Sequence, residues 1–194
     1  MPNVPKEKLN KEHLIVLYAV NKATDGVPTK THYQKMMYLI IKALGNDPKT
    51  SAGYAPNHYG PYSYQVEDWR GVLLNAGYLE KNTAERIRIP ADVKEDVDKI
   101  SFKNTFLEQK IDSIVEFVNS LAYNELLLYI YSDDILKGEG MSENSDVKEE
   151  ILQDRVNIAI GMVRRNKVSV AKGAELADMD VGSFENLVDK RKNR

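Results

Sequence analysis

The first half of the chain carries apolar residues at the spacing of amphipathic helices, with polar residues between them. This pattern predicts three helices, at residues 11–23, 29–44 and 63–76. Each follows a residue type that commonly caps helix N-termini: Asn10, Thr29 and Ser63. Gly77 is a helix stop, and two short β-like runs follow it, Tyr78–Lys81 and Arg86–Ile89. Helix, loop, helix, strand, turn and strand is the order of a winged helix, which we predict for residues 1–90.

The second half is predicted to be entirely helical. Residues 105–122 form one amphipathic pattern, and residues 125–131 are almost wholly apolar before Asp133-Asp134, where we expect a break. One long helix is predicted at 145–166, with apolar residues along two sides. Such a helix lies between two layers or at a dimer interface, so we expect a homodimer.

The last segment has the pattern of a helix-turn-helix. Ser169 precedes a short helix, Asp178-Met179-Asp180 form a turn, and a final helix follows to about residue 191. A small residue in the first helix and apolar residues after it have the spacing of two crossing helices: Ala174, Met179, Phe184 and Leu187. We therefore predict a mainly α fold with a small β wing. Its three domains are a winged helix at 1–90, a helical middle or dimerisation region at 99–166, and a helix-turn-helix at 167–194.

Composition excludes several classes of protein. The 194 residues include no cysteine, so disulfides and thiolate metal sites are ruled out. No run of residues reaches the ~18 apolar positions of a membrane span, and the N-terminus lacks the apolar stretch of a signal peptide. The three histidines, His13, His32 and His58, belong to different predicted elements and form no metal-binding pair. We therefore expect a cytoplasmic protein that is not an enzyme and uses no metal or other cofactor.

Two parts of the chain resemble known families. Gln34-Lys35-Met36-Met37-Tyr38-Leu39, with Tyr59-Gly60-Pro61 and residues 73–79, resembles winged-helix proteins related to the Panacea antitoxin domain, over residues 10–135. The second match rests on Lys167-Val168-Ser169-Val170, Ala174-Glu175-Leu176-Ala177, Met179 and Phe184. With these, residues 159–191 resemble a small antitoxin-like helix-turn-helix family that is often paired with nuclease toxins. In the second family, alanine is usual at the position of Gly173 and glycine at that of Asp178. These resemblances imply DNA binding and a toxin as protein partner.

Candidate DNA contacts lie in three places. In each, basic or amide side chains suit phosphates and base edges. They are Tyr64, Gln65 and Arg70 in the third helix, Lys81, Arg86 and Arg88 in the wing, and Arg164, Arg165, Lys167, Asn186 and Lys190 near the C-terminus. The two helices expected to enter the DNA groove, the third helix and the final one, also contain acidic residues, which would repel phosphate. These are Glu67, Asp68, Glu185 and Asp189.

Two functions therefore stay open. One is a DNA-binding transcription regulator of antitoxin type that binds double-stranded DNA. The other is a protein-binding adaptor, or a toxin-neutralising module, that does not bind DNA. The tyrosine-rich region of Tyr54, Tyr59, Tyr62 and Tyr64 favours the second function, because tyrosines are common in protein interfaces.

Overall fold

The computed structural model describes residue 2 and residues 4–192. The predicted domains 1–90 and 167–194 also include residues 1, 3, 193 and 194, which lie outside the described residues. The described helices are α1 Lys11–Lys22, α2 Lys30–Ala43, α3 Pro48–Ala52, α4 Tyr64–Ala76, α5 Lys94–Asp98, α6 Thr105–Ser120, α7 Tyr123–Lys137, α8 Asp146–Gln153, α9 Arg155–Arg164, α10 Val170–Ala177 and α11 Val181–Lys192. Strands β1 Glu80–Lys81 and β2 Ile87–Arg88 form an antiparallel hairpin. The chain is therefore mainly helical with a small sheet, as predicted.

The predicted helix starts are confirmed by their capping hydrogen bonds. The side chains of Asn10, Thr29 and Ser63 accept from the backbone N–H three residues later, at 2.9, 3.2 and 3.0 Å. Ser169 does the same for α10, at 3.1 Å. Gly77 ends α4 with a φ of 82°, a left-handed conformation that glycine adopts at no steric cost.

The chain divides into two compact units. The first comprises the described residues up to Ala55 together with Tyr62–Asn119. At its centre lies α2, which is buried on nearly every side, while α1 packs against α4 and α5. The turn after α1 joins the hairpin, since Val27 and Ile87 exchange two backbone hydrogen bonds of 2.8 and 3.0 Å. The short sheet is thereby tied to the helical core.

The second unit comprises Pro56–Pro61 and the described residues from Ser120 onwards. Its central helix is α7, where Leu126, Leu127 and Leu128 are fully buried. Helices α8, α9 and α10 pack on α7, and α11 packs against α9 and α10. The C-terminal helices are therefore part of a larger helical core, and the units divide the chain differently from the three predicted domains.

Several predicted boundaries are wrong. The expected long helix at 145–166 is two helices that meet at Asp154, which leaves helical geometry with φ −95° and ψ 7°. Each of the two buries its own apolar side, so the two stripes no longer argue for a dimer interface. The homodimer stays a prediction without that support.

Two acidic segments that were predicted to lie between structural elements are helical. Helix α7 continues through Asp133 and Asp134, because Asp133 pairs with Lys137 at 2.6 Å and Asp134 accepts the N–H of Met141 at 2.6 Å. The acidic stretch 91–98 is helical and buries two valines against the first unit's core, so it is not a linker. Helix α3 lies in the expected loop at 49–62 and begins at Pro48, behind the capping side chain of Asp47.

Candidate nucleic-acid interface

Gln34, which begins the first block of the Panacea-like pattern, is bonded to the start of α4 inside the first unit. The side-chain amide of Gln34 donates to the carbonyl of Ser63 at 3.0 Å and accepts from its N–H at 3.1 Å. The hydroxyl of Tyr54 donates to the carbonyl of Gln34 at 2.8 Å. Gln34, Tyr54 and Ser63 are all buried. These motif residues therefore fix the start of α4 and are not themselves available to a ligand.

Helix α4 lacks a free cation. Arg70 is only 13 % exposed and is bonded to Glu67, which Lys30 also approaches at 3.3 Å. Burial alone would raise the pKa of Glu67, but the hydrogen bonds and charges of Arg70 and Lys30 outweigh it and hold this pKa below its usual value. The exposed side chains of α4 are one carboxylate, two amides, one tyrosine and one valine: Asp68, Gln65, Asn75, Tyr64 and Val72. This face offers no positive charge to a phosphate.

The cations of the hairpin have carboxylate partners as well. Lys81 pairs with Glu85 at 2.6 Å, and Arg88 pairs with Glu80, its directly opposite residue, at 2.7 Å. Both pairs are exposed, and exposed pairs contribute little to stability. Arg86 lines a cleft beside the hairpin together with Arg88, but it has no carboxylate partner among the described residues. Two of the three hairpin cations are therefore neutralised.

Two of the C-terminal candidates hold the second unit together. Arg165 and Lys167 contact the buried carboxylate of Glu125, at 2.5 and 2.7 Å, and Glu125 also accepts the N–H of Ala122 at 2.6 Å. Burial raises the pKa of Glu125, but the hydrogen bonds from Lys167 and Arg165 outweigh it and keep this carboxyl ionised. These cations join the loop after α9 to the start of α7.

The remaining candidates point to solvent. The side chains of Arg164, Asn186 and Lys190 are exposed, and none has an ion pair or hydrogen bond with another described residue. Asn186 and Lys190 are one helical turn apart on α11, and Ser183 precedes them by three residues on the same exposed side. Since a helix turns by about 100° per residue, Glu185 lies about 100° and Asp189 about 60° from Asn186, on the same side of it. The two acids therefore form one flank of this line.

The α10–α11 pair is closely packed. Phe184 is completely buried and lies against Gly173, where an added Cβ would come within 2.7 Å of the Phe184 ring and 2.5 Å of the Val163 side chain. The turn between the helices begins at Asp178, which has a φ of 56°. Glycine adopts this left-handed conformation more easily than aspartate does. The close crossing explains why glycine stands at 173 in this chain.

Sequence reasoning missed the role of Glu125. In the sequence it is the first residue of a predicted buried helix, and the leucines that follow it are the available signal that it needs cationic partners. Its partners, forty residues away, gave no local signal.

No family model matches this chain, and a search of curated proteins finds no significant match. Within the described residues, no group of three or more His, Cys, Asp or Glu side chains is arranged to hold a metal ion. Across the same part of the chain, no helix combines the length and apolar character needed to cross a membrane.

Proposed function

We propose that this chain is a DNA-binding transcription regulator whose reading helix is α11. The observation that carries the proposal is the exposed stripe of Ser183, Asn186 and Lys190, which contains no acid. A hydroxyl, an amide and an ammonium are groups that contact base edges and phosphates in the major groove. The acids Glu185 and Asp189 would lie on one flank of this stripe when it faces the groove.

The packing of α10 and α11 supports the same proposal. A helix-turn-helix needs a tight turn and two helices that cross closely, so that the second helix projects into the groove. Here Phe184 fills the crossing, Gly173 permits it, and Asp178 forms the left-handed turn residue. Arg164, exposed at the end of α9, adds a cation near this pair for the DNA backbone.

The first unit contributes less to this function than its pattern predicts. The order α2, α4, β1 and β2 supports a winged helix, and the resemblance to Panacea-related proteins agrees with it. However, Arg70, Lys81 and Arg88 are all bound to carboxylates. We therefore assign DNA contact to the second unit.

The test is DNA binding by the intact chain. Duplexes selected from a random pool are titrated by fluorescence anisotropy at several salt concentrations. Asn186→Ala should weaken binding to the selected site by about 1–3 kcal/mol and relax its specificity. Lys190→Ala should weaken binding to all sequences alike and reduce the salt slope by about one.

Arg88→Ala is the matched control, because it removes a cation of the hairpin. It should leave affinity and salt slope unchanged. A chain that selects no duplex at low salt, or one for which only Arg88→Ala weakens binding, would refute the assignment to α11.

A second candidate function is favoured by the exposed face of α4. Tyr64 is 83 % exposed and Val72 37 % exposed, in a helix whose cation is engaged. Aromatic and apolar side chains free of charge suit a protein partner, so this face supports a toxin-neutralising or adaptor role. Co-purification with the product of the neighbouring open reading frame tests it. Tyr64→Ala should weaken that complex at least about tenfold, whereas Lys49→Ala, on α3, should not.

A further inference from the structure

A cleft of about 690 Å³ lies beside the hairpin in the first unit, between the end of α1, the turn that follows it and the start of α5. Its wall is fixed by the two hydrogen bonds between Val27 and Ile87. Gly26 is required in this wall, since its φ is +76° and an added Cβ would lie 2.7 Å from the carbonyl oxygen of Ile87. The cleft is therefore a fixed feature of the fold, in the size range of small-molecule sites.

The charged side chains that line the cleft are mainly cationic. Arg86, Arg88 and Lys94 face one carboxylate, that of Asp25. Arg88 and Lys94 have carboxylate partners outside the lining, Glu80 at 2.7 Å and Asp98 at 3.0 Å. Arg86 is therefore the lining cation whose charge is left to attract an anionic ligand.

Arg86 is the residue that lacks a partner. It is half-buried, it pairs with no carboxylate of the described chain, and its buried Nε has no hydrogen-bond acceptor there. A buried N–H without an acceptor costs free energy, so such groups are usually satisfied by something else in the site. A guanidinium presents two parallel N–H groups that match the oxygens of a phosphate.

Neighbouring groups complete the site. The side-chain oxygen of Asn82 accepts the N–H groups of Ala84 and Arg86, at 2.9 and 3.0 Å, which holds the hairpin turn and leaves its amide nitrogen to donate. Asn21 bonds to Lys94 and to Asp98, so the position of that lysine is also set. Asp25 is the acceptor available to a ligand's own hydroxyl or amino group.

We propose that this cleft binds a small phosphate-bearing ligand of mononucleotide size, with Arg86 contacting the phosphate. Arg88 and Lys94 line the same cleft, each already paired with a carboxylate, and Asp25 contacts a donor group elsewhere on the ligand. The site is independent of the DNA contact proposed for α11, because it belongs to the first unit.

The test is a titration of the ¹⁵N-labelled full chain with adenosine monophosphate and, separately, with inorganic pyrophosphate. We expect saturable shifts of the backbone amides of Gly26, Ile87 and Arg88. Arg86→Gln should raise the Kd at least about tenfold, since it removes a charged hydrogen-bond donor. Arg86→Lys should restore part of the affinity. Lys81→Gln is the control: it removes a cation from the same hairpin but outside the cleft, and should leave the Kd unchanged.

Absence of saturable shifts with both probes up to about 10 mM, where even a ~1 mM site would fill, would overturn the proposal. So would an equal loss of affinity in Arg86→Gln and Lys81→Gln, which would indicate binding by general charge. If Arg86→Gln disturbs the hairpin, seen as faster hydrogen exchange at Ile87, the comparison of Arg86→Lys with Lys81→Gln decides the matter. DNA binding is tested separately, by the shifts of the backbone amides of Asn186 and Lys190 when DNA is added.

Discussion

Replacing Lys35 by methionine should stabilise the first unit, and by an amount that depends on pH. Lys35 lies in the middle of α2 and is 1 % exposed. Burial lowers its pKa from 10.5 to about 7, because a low-dielectric interior disfavours the ammonium. Methionine retains an unbranched apolar stem of similar volume and removes the amine.

The sign and size of the effect follow from proton binding. Unfolded, the lysine keeps its proton up to about pH 10.5, whereas folded it loses it near pH 7. Between these values the unfolded state binds more protons, so the wild-type free energy of unfolding rises with pH, by at most about 1.4 kcal/mol per pH unit. The cost of burying the charge is fully present below pH 7, where it reaches at most about 5 kcal/mol, and it is gone above pH 10.5.

The expected gain is smaller than this maximum, because the substitution also removes the polar interactions of the amine. We expect Lys35→Met to be more stable than the wild type by roughly 2–4 kcal/mol at pH 6. The difference should decrease steadily from pH 7 to pH 9.

Urea unfolding followed by tryptophan fluorescence measures this effect in the correct unit. The chain has one tryptophan, Trp69, which is 7 % exposed in α4. Lys49→Met, at an exposed lysine of α3, is the matched control and should change stability by less than about 0.5 kcal/mol. A gain that is the same at pH 6 and pH 9, or a loss of stability at pH 6, would refute the reasoning.

Three further predictions concern the second unit. Phe184→Ala should lower the free energy of unfolding by about 3–5 kcal/mol, because the ring is completely buried. Hydrogen exchange should then become faster across α10 and α11, and unchanged protection of these amides would contradict the prediction. Gly173→Ala should cost about 1–3 kcal/mol in thermal unfolding, because the new Cβ would overlap the Val163 side chain. Glu125→Gln should lower the free energy of unfolding by roughly 1–3 kcal/mol at pH 7. The expected loss is small for a buried carboxylate because Arg165 is mostly exposed and solvent screens its charge. Since the pKa of Glu125 is lowered on folding, its contribution is present above the unfolded pKa and is lost as pH falls through the folded pKa. The cost of Glu125→Gln should therefore shrink in acid, and a cost independent of pH would count against it.

The starts of α1, α2, α4 and α10 and the end of α4 were determined by the sequence itself. Asn10, Thr29, Ser63 and Ser169 act on a backbone N–H only three residues away, and Gly77 acts through its own φ angle. Such interactions need no distant partner, so the residue type and its position suffice to predict them. The same holds for the burial of Phe184, which the helical spacing predicted.

Only the tertiary structure decided which charges are available. Arg165 and Lys167 read as DNA-contacting cations, yet their partner Glu125 lies forty residues earlier and reaches them only because α7 and α9 pack together. Likewise, Arg86 and Arg88 are alike in the sequence and line the same cleft, but the hairpin places Glu80 opposite Arg88 and leaves Arg86 without a carboxylate partner among the described residues. A charged residue type fixes the sign of a contact, whereas the partner depends on which elements the fold brings within a few ångströms.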